Sequence, residues 1–249
     1  MEVLMKALTK LTITELKLFL RDPGAAFFTL AFPLLLLVLN GTGRTNKPVD
    51  ELGGHGVIDV IVPMLTVVVL AILAFTCLPS FLAGYRERRI LRRLAATPLP
   101  AGFVLVAQLL VNLLVGIAAL IGLVVVGVVG YDLNPPKAAF AALAVFLLGG
   151  LALFALGFLL AAIAPTARFA SAAGFASFFP LLFLSGTMQP REEMPESLGR
   201  IGDFLPVSPV VRSLRDAWAG ETPSGLTFAL FAAIIVVAGG VALRLFRWE

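Results

Sequence analysis

Apolar positions gather into six long runs separated by short polar breaks, over residues 24–40, 57–83, 101–130, 138–163, 169–186 and 226–243. Each run reaches the roughly 17–25 residues that carry a helix across a bilayer. The pattern over residues 3–21 is different. Lys6, Lys10 and Lys17 recur on one helical stripe with Arg21 at its edge, and Leu4, Leu8, Leu11 and Leu18 fall opposite. That spacing predicts a helix lying in the membrane interface with its cations toward headgroups. Asp22-Pro23 ends it, because the residue before a proline is pushed out of the helical region.

Two stretches fit neither pattern. Residues 84–100, YRERRILRRLAATPLP after Gly84, form the densest basic run of the chain. On a helical wheel Arg86, Arg88, Arg89, Arg92 and Arg93 share one face, and Ile90, Leu91, Leu94 and Ala95 the other. Glu87 falls on the apolar face, where an acid needs a partner. Its two expected partners are a group on another subunit or the start of a neighbouring helix in this chain, where backbone N–H groups favour an anion. Thr97-Pro98 closes the segment, which is predicted to be one helix laid across the membrane surface. Residues 187–223 are polar, yet Met194, Leu198, Ile201, Phe204, Leu205, Val207, Val210 and Val211 recur between Pro190, Pro195, Pro206 and Pro209. Two short helices dipping back into the outer membrane surface account for this pattern, since irregular backbone at that depth must be covered.

Composition turns the runs into a class. The 249 residues are 59% hydrophobic and only 14% charged, with a mean hydropathy of +1.00. The predicted fold is an all-α integral membrane protein with six transmembrane helices. The net charge is +4, and its distribution sets the orientation. Lys6, Lys10, Lys17, Arg21, the five arginines of the basic run, Arg168, Arg244 and Arg247 fall on one side. The other side holds Arg44, Lys47, Lys137 and the last loop, where four arginines are offset by six acids. The positive side is the cytoplasmic one, so both termini are expected in the cytoplasm and the chain in the cell membrane. The basic balance therefore reads as orientation and lipid contact, and nucleic acid is not an expected partner. No compact apolar core followed by a small-residue cleavage site precedes the first run, so a cleaved leader is not expected.

Reactive chemistry is sparse. Cys77 is the single cysteine and His55 the single histidine, so neither a disulfide nor a metal centre is expected. No HExxH, GxSxG or phosphate-loop motif occurs, which predicts a chain that is not itself an enzyme. No run carries an ionisable side chain at its centre, where proton- or sodium-driven carriers place one. Energy must then come from a partner, or else the chain is a scaffold or regulatory subunit without a transport path. Gln108, Asn112, Thr66 and Ser177 are the mild polar candidates for lining a pathway; ordinary bonding between helices is the competing role. Gly149, Gly150 and Gly157 predict close helix packing.

Three segments in order complete the reading: ELKLFLRDPGAAFFTLAFP from Glu15, RERRILRRLAATPL from Arg86, and LSGTMQPREEMP from Leu184 followed by SPVVRSLRDAW from Ser208. Together they resemble the type-2 ABC exporter permeases, the membrane subunits of drug, lipid and polysaccharide exporters. The resemblance spans nearly the whole chain and implies one transmembrane domain over residues 1–249. It implies an interface helix with Glu15, Lys17, Arg21, Asp22 and Pro23. It implies a cytoplasmic coupling helix between spans 2 and 3 carrying Arg86, Glu87, Arg88, Ile90, Leu91, Leu94, Thr97 and Pro98. It implies re-entrant helices between spans 5 and 6, with an outer gate at Ser185, Gly186, Pro190, Pro195 and Pro209. The chain departs from the family at Arg89, where a glycine commonly follows the Glu-Arg pair. The implied partners are a cytoplasmic ABC ATPase subunit, holding the ATP and magnesium, and a second permease copy or paralogue in the lipid bilayer. The implied activity is export, and the apolar lining left beside the mild polar candidates suggests an amphipathic or hydrophobic substrate, a drug, lipid or glycan.

Overall fold

A computed structural model describes residues 2–42, 46–49, 54–90, 102–185 and 195–246. Those residues are almost entirely helical and form no strand. The first helix, α1 (Glu2–Arg21), ends where Asp22 turns the chain and caps the next helix, its carboxylate accepting from Ala25 N at 3.0 Å. Six helices are long and apolar enough to cross a membrane: α2 (Pro23–Gly41), α3 (Val57–Glu87), α4 (Gly102–Tyr131), α5 (Ala139–Ile163), α6 (Ala167–Leu184) and, at the end, α9 (Gly225–Leu245). Between the last two lie α7 (Glu196–Asp203) and α8 (Val207–Ala219). The bundle has a basic end, with α1 and the close of α3, and a far end, with α7 and α8.

The second span, α3, is the centre. Its most apolar stretch is 83% buried by protein, against 17% for α9. The outward faces of the other spans carry Leu39, Val129, Phe140, Phe179 and Val236, all exposed. In a bilayer such residues meet hydrocarbon and need no further cover.

Among the described residues, two segments of wider, π-helical turn interrupt the spans, at Phe27–Ala31 in α2 and Ile72–Cys77 in α3. Each lies just before a proline, Pro33 and Pro79. A proline ring clashes with the carbonyl four residues earlier and cannot donate to it. Those carbonyls belong to Thr29 and Phe75, both inside the widened turns, so the extra residue relieves the clash. The two bulges also touch, with Thr29 Oγ1 and Cys77 Sγ 3.8 Å apart.

Glycines then press on the α3 bulge. A Cβ on Gly157 of α5 would sit 2.1 Å from Ala74 O, and one on Gly174 of α6 would sit 2.1 Å from Phe75 O. Gly149 and Gly150 likewise meet Val210 and Leu70, which bears out the close packing expected of the α5 glycines. Ser80 and Ser171 add a polar contact between α3 and α6, their hydroxyl oxygens 3.0 Å apart.

At the basic end the structure corrects one expectation. The second span does not stop at residue 83; α3 continues unbroken through Glu87. Nothing in Gly84–Glu87 opposes helix continuation, and at about 1.5 Å per residue a helix of 31 residues outruns a hydrocarbon core of about 30 Å. The chain turns at Arg88–Arg89, where Arg89 takes φ 56. That is the left-handed conformation glycine adopts at little cost, at the one position where the chain departs from the resembled pattern. Leu91, Leu94, Thr97 and Pro98 lie outside the described residues. At the far end, α7 and α8 stand where two short helices were expected. α8 buries Val207, Val210, Val211, Leu214, Ala217 and Trp218.

The glycine contacts carry a stability prediction. In Gly157→Ala and Gly174→Ala the new methyl meets backbone oxygen, which cannot rotate away. Each should cost about 1–3 kcal/mol and lower the melting temperature in detergent. Gly240→Ala, with open space at its Cβ, should be neutral or gain up to about 1 kcal/mol from helix propensity.

Candidate functional site

The last turn of α3 reaches three neighbours at once. Successive side chains on a helix point about 100° apart, so Tyr85, Arg86 and Glu87 face three directions. Tyr85 OH donates to Glu15 Oε2 on α1 in a short hydrogen bond. Arg86 donates to the final carbonyls of α5, Nη1 to Ala162 O at 3.3 Å and Nη2 to Ala161 O at 3.5 Å. Glu87 Oε2 accepts from Ala167 N, the first residue of α6, at 3.1 Å. A guanidinium at a helix C-terminus and a carboxylate at a helix N-terminus both oppose the partial charges there. Adjacent residues of opposite sign thus clasp the two helix ends joined by the short turn at Ala164–Thr166. Thr166 completes that turn by accepting from Phe169 N at 3.1 Å.

Glu87 is exposed, contrary to the desolvated position expected of it. The wheel assumes one helix through residue 95, whereas the chain turns two residues after Glu87. Of its two expected partners, the helix start within the chain is the one present. Arg88 is exposed and Ile90 half-buried.

The buried acid at this end of the bundle is Glu15, only 6% exposed. Its Oε2 also accepts from Gln108 Nε2 of α4 at 2.7 Å, and Gln108 O accepts from Asn112 Nδ2 at 2.7 Å. The interface helix is therefore fastened to α3 and α4 through one carboxylate. Burial pushes the Glu15 carboxyl above the usual range, and the Tyr85 hydrogen bond opposes that rise. The sequence carries a signal for this: Glu15 falls between Leu8 and Leu11 on the wheel of α1, so the test applied to Glu87 applies equally to it. On α1, Glu15 and Phe19 are buried against the bundle, while Leu4 and Leu18 are exposed.

The remaining candidates are dispersed. Lys17, Arg21, Asp22 and Pro23 are exposed beside the basic end. Thr66, Gln108 and Asn112 are buried inside the chain. Thr66 donates to Val62 O at 2.9 Å, and Ser177, half-buried, donates to Ala173 O at 2.8 Å. At the far end Ser185 is buried and donates to Leu182 O at 3.1 Å. Pro195 precedes α7, and Pro209 lies in the first turn of α8. Gly186 and Pro190 fall outside the described residues. Among the described residues no three metal-ligating side chains converge.

A family model for ABC-2 type transporters matches residues 6–218. The chain belongs to the ABC-2 type transporter family. No curated protein matches it. The family makes this chain a multi-pass membrane permease component of an ABC transporter, and the match extends from the interface helix through α8. In this permease the clasp and the Glu15 bonds both sit at the last turn of α3, where the basic run begins.

Two predictions separate the two acids. Glu15→Ala leaves the Tyr85 hydroxyl and the Gln108 amide without their acceptor and should cost roughly 1–3 kcal/mol, whereas Glu15→Gln retains one. Because the folded-state pKa of Glu15 is raised, its stabilising contribution is complete below the ordinary carboxylate value and lost as pH rises through the folded value. Melting curves recorded from about pH 4 to about pH 8 should flatten in Glu15→Gln.

Glu87→Ala removes an exposed helix-end interaction and should cost only about 0.3–1 kcal/mol, shrinking further in high salt. Arg88→Ala should change the melting temperature less than Glu87→Ala does.

Proposed function

We propose that this permease is the membrane half of an ATP-driven exporter, with its basic end in the cytoplasm and both termini there. A separate ABC ATPase subunit would dock against the basic run, and a second copy or paralogue of the permease would complete the path. The observation that carries this reading is the meeting of three elements at Tyr85–Glu87. A push on the basic run is delivered directly to α3, to the interface helix and to the α5–α6 turn. The last turn of α3 stands beyond the hydrocarbon, within reach of a soluble protein. The absence of a phosphate-loop motif from the sequence supports a partner as the source of energy.

The substrate is proposed to be amphipathic or hydrophobic. A cleft of about 200 Å³ between α4, α5 and α9 supports this, because Leu105, Leu109, Phe158, Ile235 and Phe246 line it without a charged side chain. Lipid-facing clefts of this kind admit apolar chains and exclude hydrated ions.

The decisive measurement pairs the purified permease with the ATPase encoded beside it. Alone in proteoliposomes, the permease should hydrolyse no ATP above background. Together they should show ATP-dependent movement of a fluorescent amphiphile, and Glu87→Arg should reduce it at least tenfold by placing a third cation beside Arg86 and Arg88. Turnover by the isolated chain would end the proposal. Stable association without transport of any tested amphiphile would instead favour a scaffold.

A further inference from the structure

The far end of the bundle holds a second polar constellation, remote from the basic run. Buried Asp59, at the start of α3, accepts from Asn46 Nδ2 at 2.8 Å, Asn134 N at 2.9 Å and Asn134 Nδ2 at 2.9 Å. Asn46 Oδ1 in turn accepts from Ile58 N at 3.0 Å, and Trp218 Nε1 donates to Asn134 O at 3.1 Å. These bonds tie α3, the α4–α5 turn and α8 into a rigid floor. Above it opens a cavity of about 760 Å³.

Part of its charged lining is unspent. Arg212 pairs with Asp203. Lys137, Arg215, Asp216 and Glu221 also line the cavity, and none of the four forms a side-chain hydrogen bond or ion pair with a described residue. Partial burial and the neighbouring Glu221 hold the Asp216 carboxyl above the usual carboxylate range, against the pull of Arg215 and Arg212. A carboxylate with a second acid beside it is relieved by a cation. Lys137 and Arg215 offer donors to a phosphate. The four charges sum to zero, so a ligand carrying both signs satisfies all of them, while an anion or a cation alone meets like charge. Asp59 lies at the start of α3 and Lys137 between α4 and α5, so the cavity opens at the ends of spanning helices, where lipid headgroups lie.

We propose that this cavity binds the headgroup of an amine-bearing zwitterionic phospholipid from the leaflet on that side, its phosphate toward Lys137 and Arg215 and its ammonium toward Asp216 and Glu221. The shared chemistry is a phosphate joined to a primary ammonium. A soluble phosphoamine has the same chemistry without the acyl chains.

Trp218 reports on the site. The chain has two tryptophans, so Trp248→Phe leaves Trp218 as the single emitter. In that background the full chain in detergent is titrated with short-chain phosphatidylethanolamine, short-chain phosphatidylglycerol and phosphoethanolamine. Phosphatidylethanolamine should give a saturable change in emission, with affinity at least tenfold above phosphatidylglycerol and above phosphoethanolamine. Lys137→Ala should weaken it at least fivefold and Lys137→Arg should restore it. Asp216→Asn with Glu221→Gln should erase the preference over phosphatidylglycerol. Equal affinity for phosphoethanolamine would overturn the lipid as the source. Equal affinity for phosphatidylglycerol in the unmodified lining, or no saturable change with any probe, would overturn the site.

Discussion

The arrangement depends on two backbone carbonyls of the central span. Pro79 forces α3 to widen between Ile72 and Cys77, and the widened turn directs Ala74 O and Phe75 O toward α5 and α6. Only glycine lets two neighbouring helices approach those oxygens, and Gly157 and Gly174 stand there. Without a hydrophobic drive between helices in lipid, such close approach supplies much of the association, through dispersion and weak C–H···O contacts. The central span is thus held at its weakest point, where its own helical bonding is disturbed. The α2 bulge joins the same knot through Thr29 and Cys77.

That knot and the basic end lie on one helix. Cys77 and Tyr85 are eight residues apart, so about 12 Å of regular helix joins the bulge to the clasp. The clasp binds the end of α5 and the start of α6, the same two helices whose glycines grip the bulge. The end of α3 is therefore held to α5 and α6 twice, once by shape inside the bilayer and once by charge at its edge. Apolar packing at the inner point is indifferent to salt, whereas the ionic contacts of the outer point are exposed and screened. A charged surface brought against this end would act at the outer point first, and the bulge is where the helix already departs from regular bonding.

Much of this is legible in the sequence. Six apolar runs, the break at Asp22-Pro23 and two helices between spans 5 and 6 all come from periodicity and proline placement. The glycines of α5 announce close packing, although which backbone they meet depends on where Pro79 places the bulge, a tertiary matter. The end of α3 is misplaced by the pattern alone, because a dense run of arginines reads as the beginning of an element. Arg86 instead belongs to the end of one, and the left-handed turn at Arg89 divides it from the rest of the basic run. Propensity gives no warning of such a turn at arginine. The far-end constellation is invisible for another reason: Asn46, Asp59, Asn134 and Trp218 are distant in sequence, and each alone is an ordinary loop or helix-end residue.

The two acids at the basic end show how one wheel pattern conceals two kinds of anchor. Glu15 and Glu87 both fall on apolar faces, yet Glu15 is enclosed by Tyr85 and Gln108 while Glu87 faces solvent over a helix end. An enclosed carboxylate loses hydration and must be satisfied by directional bonds, so it fixes geometry and responds to pH. An exposed one keeps its hydration and is held by a helix end, so it releases at little cost and responds to salt. The interface helix is therefore the firmly bound neighbour of α3, and the α5–α6 turn the easily released one. If the end of α3 shifts under an external load, the bond to Ala167 gives way before the bonds to Glu15, and α1 moves with α3 as a unit.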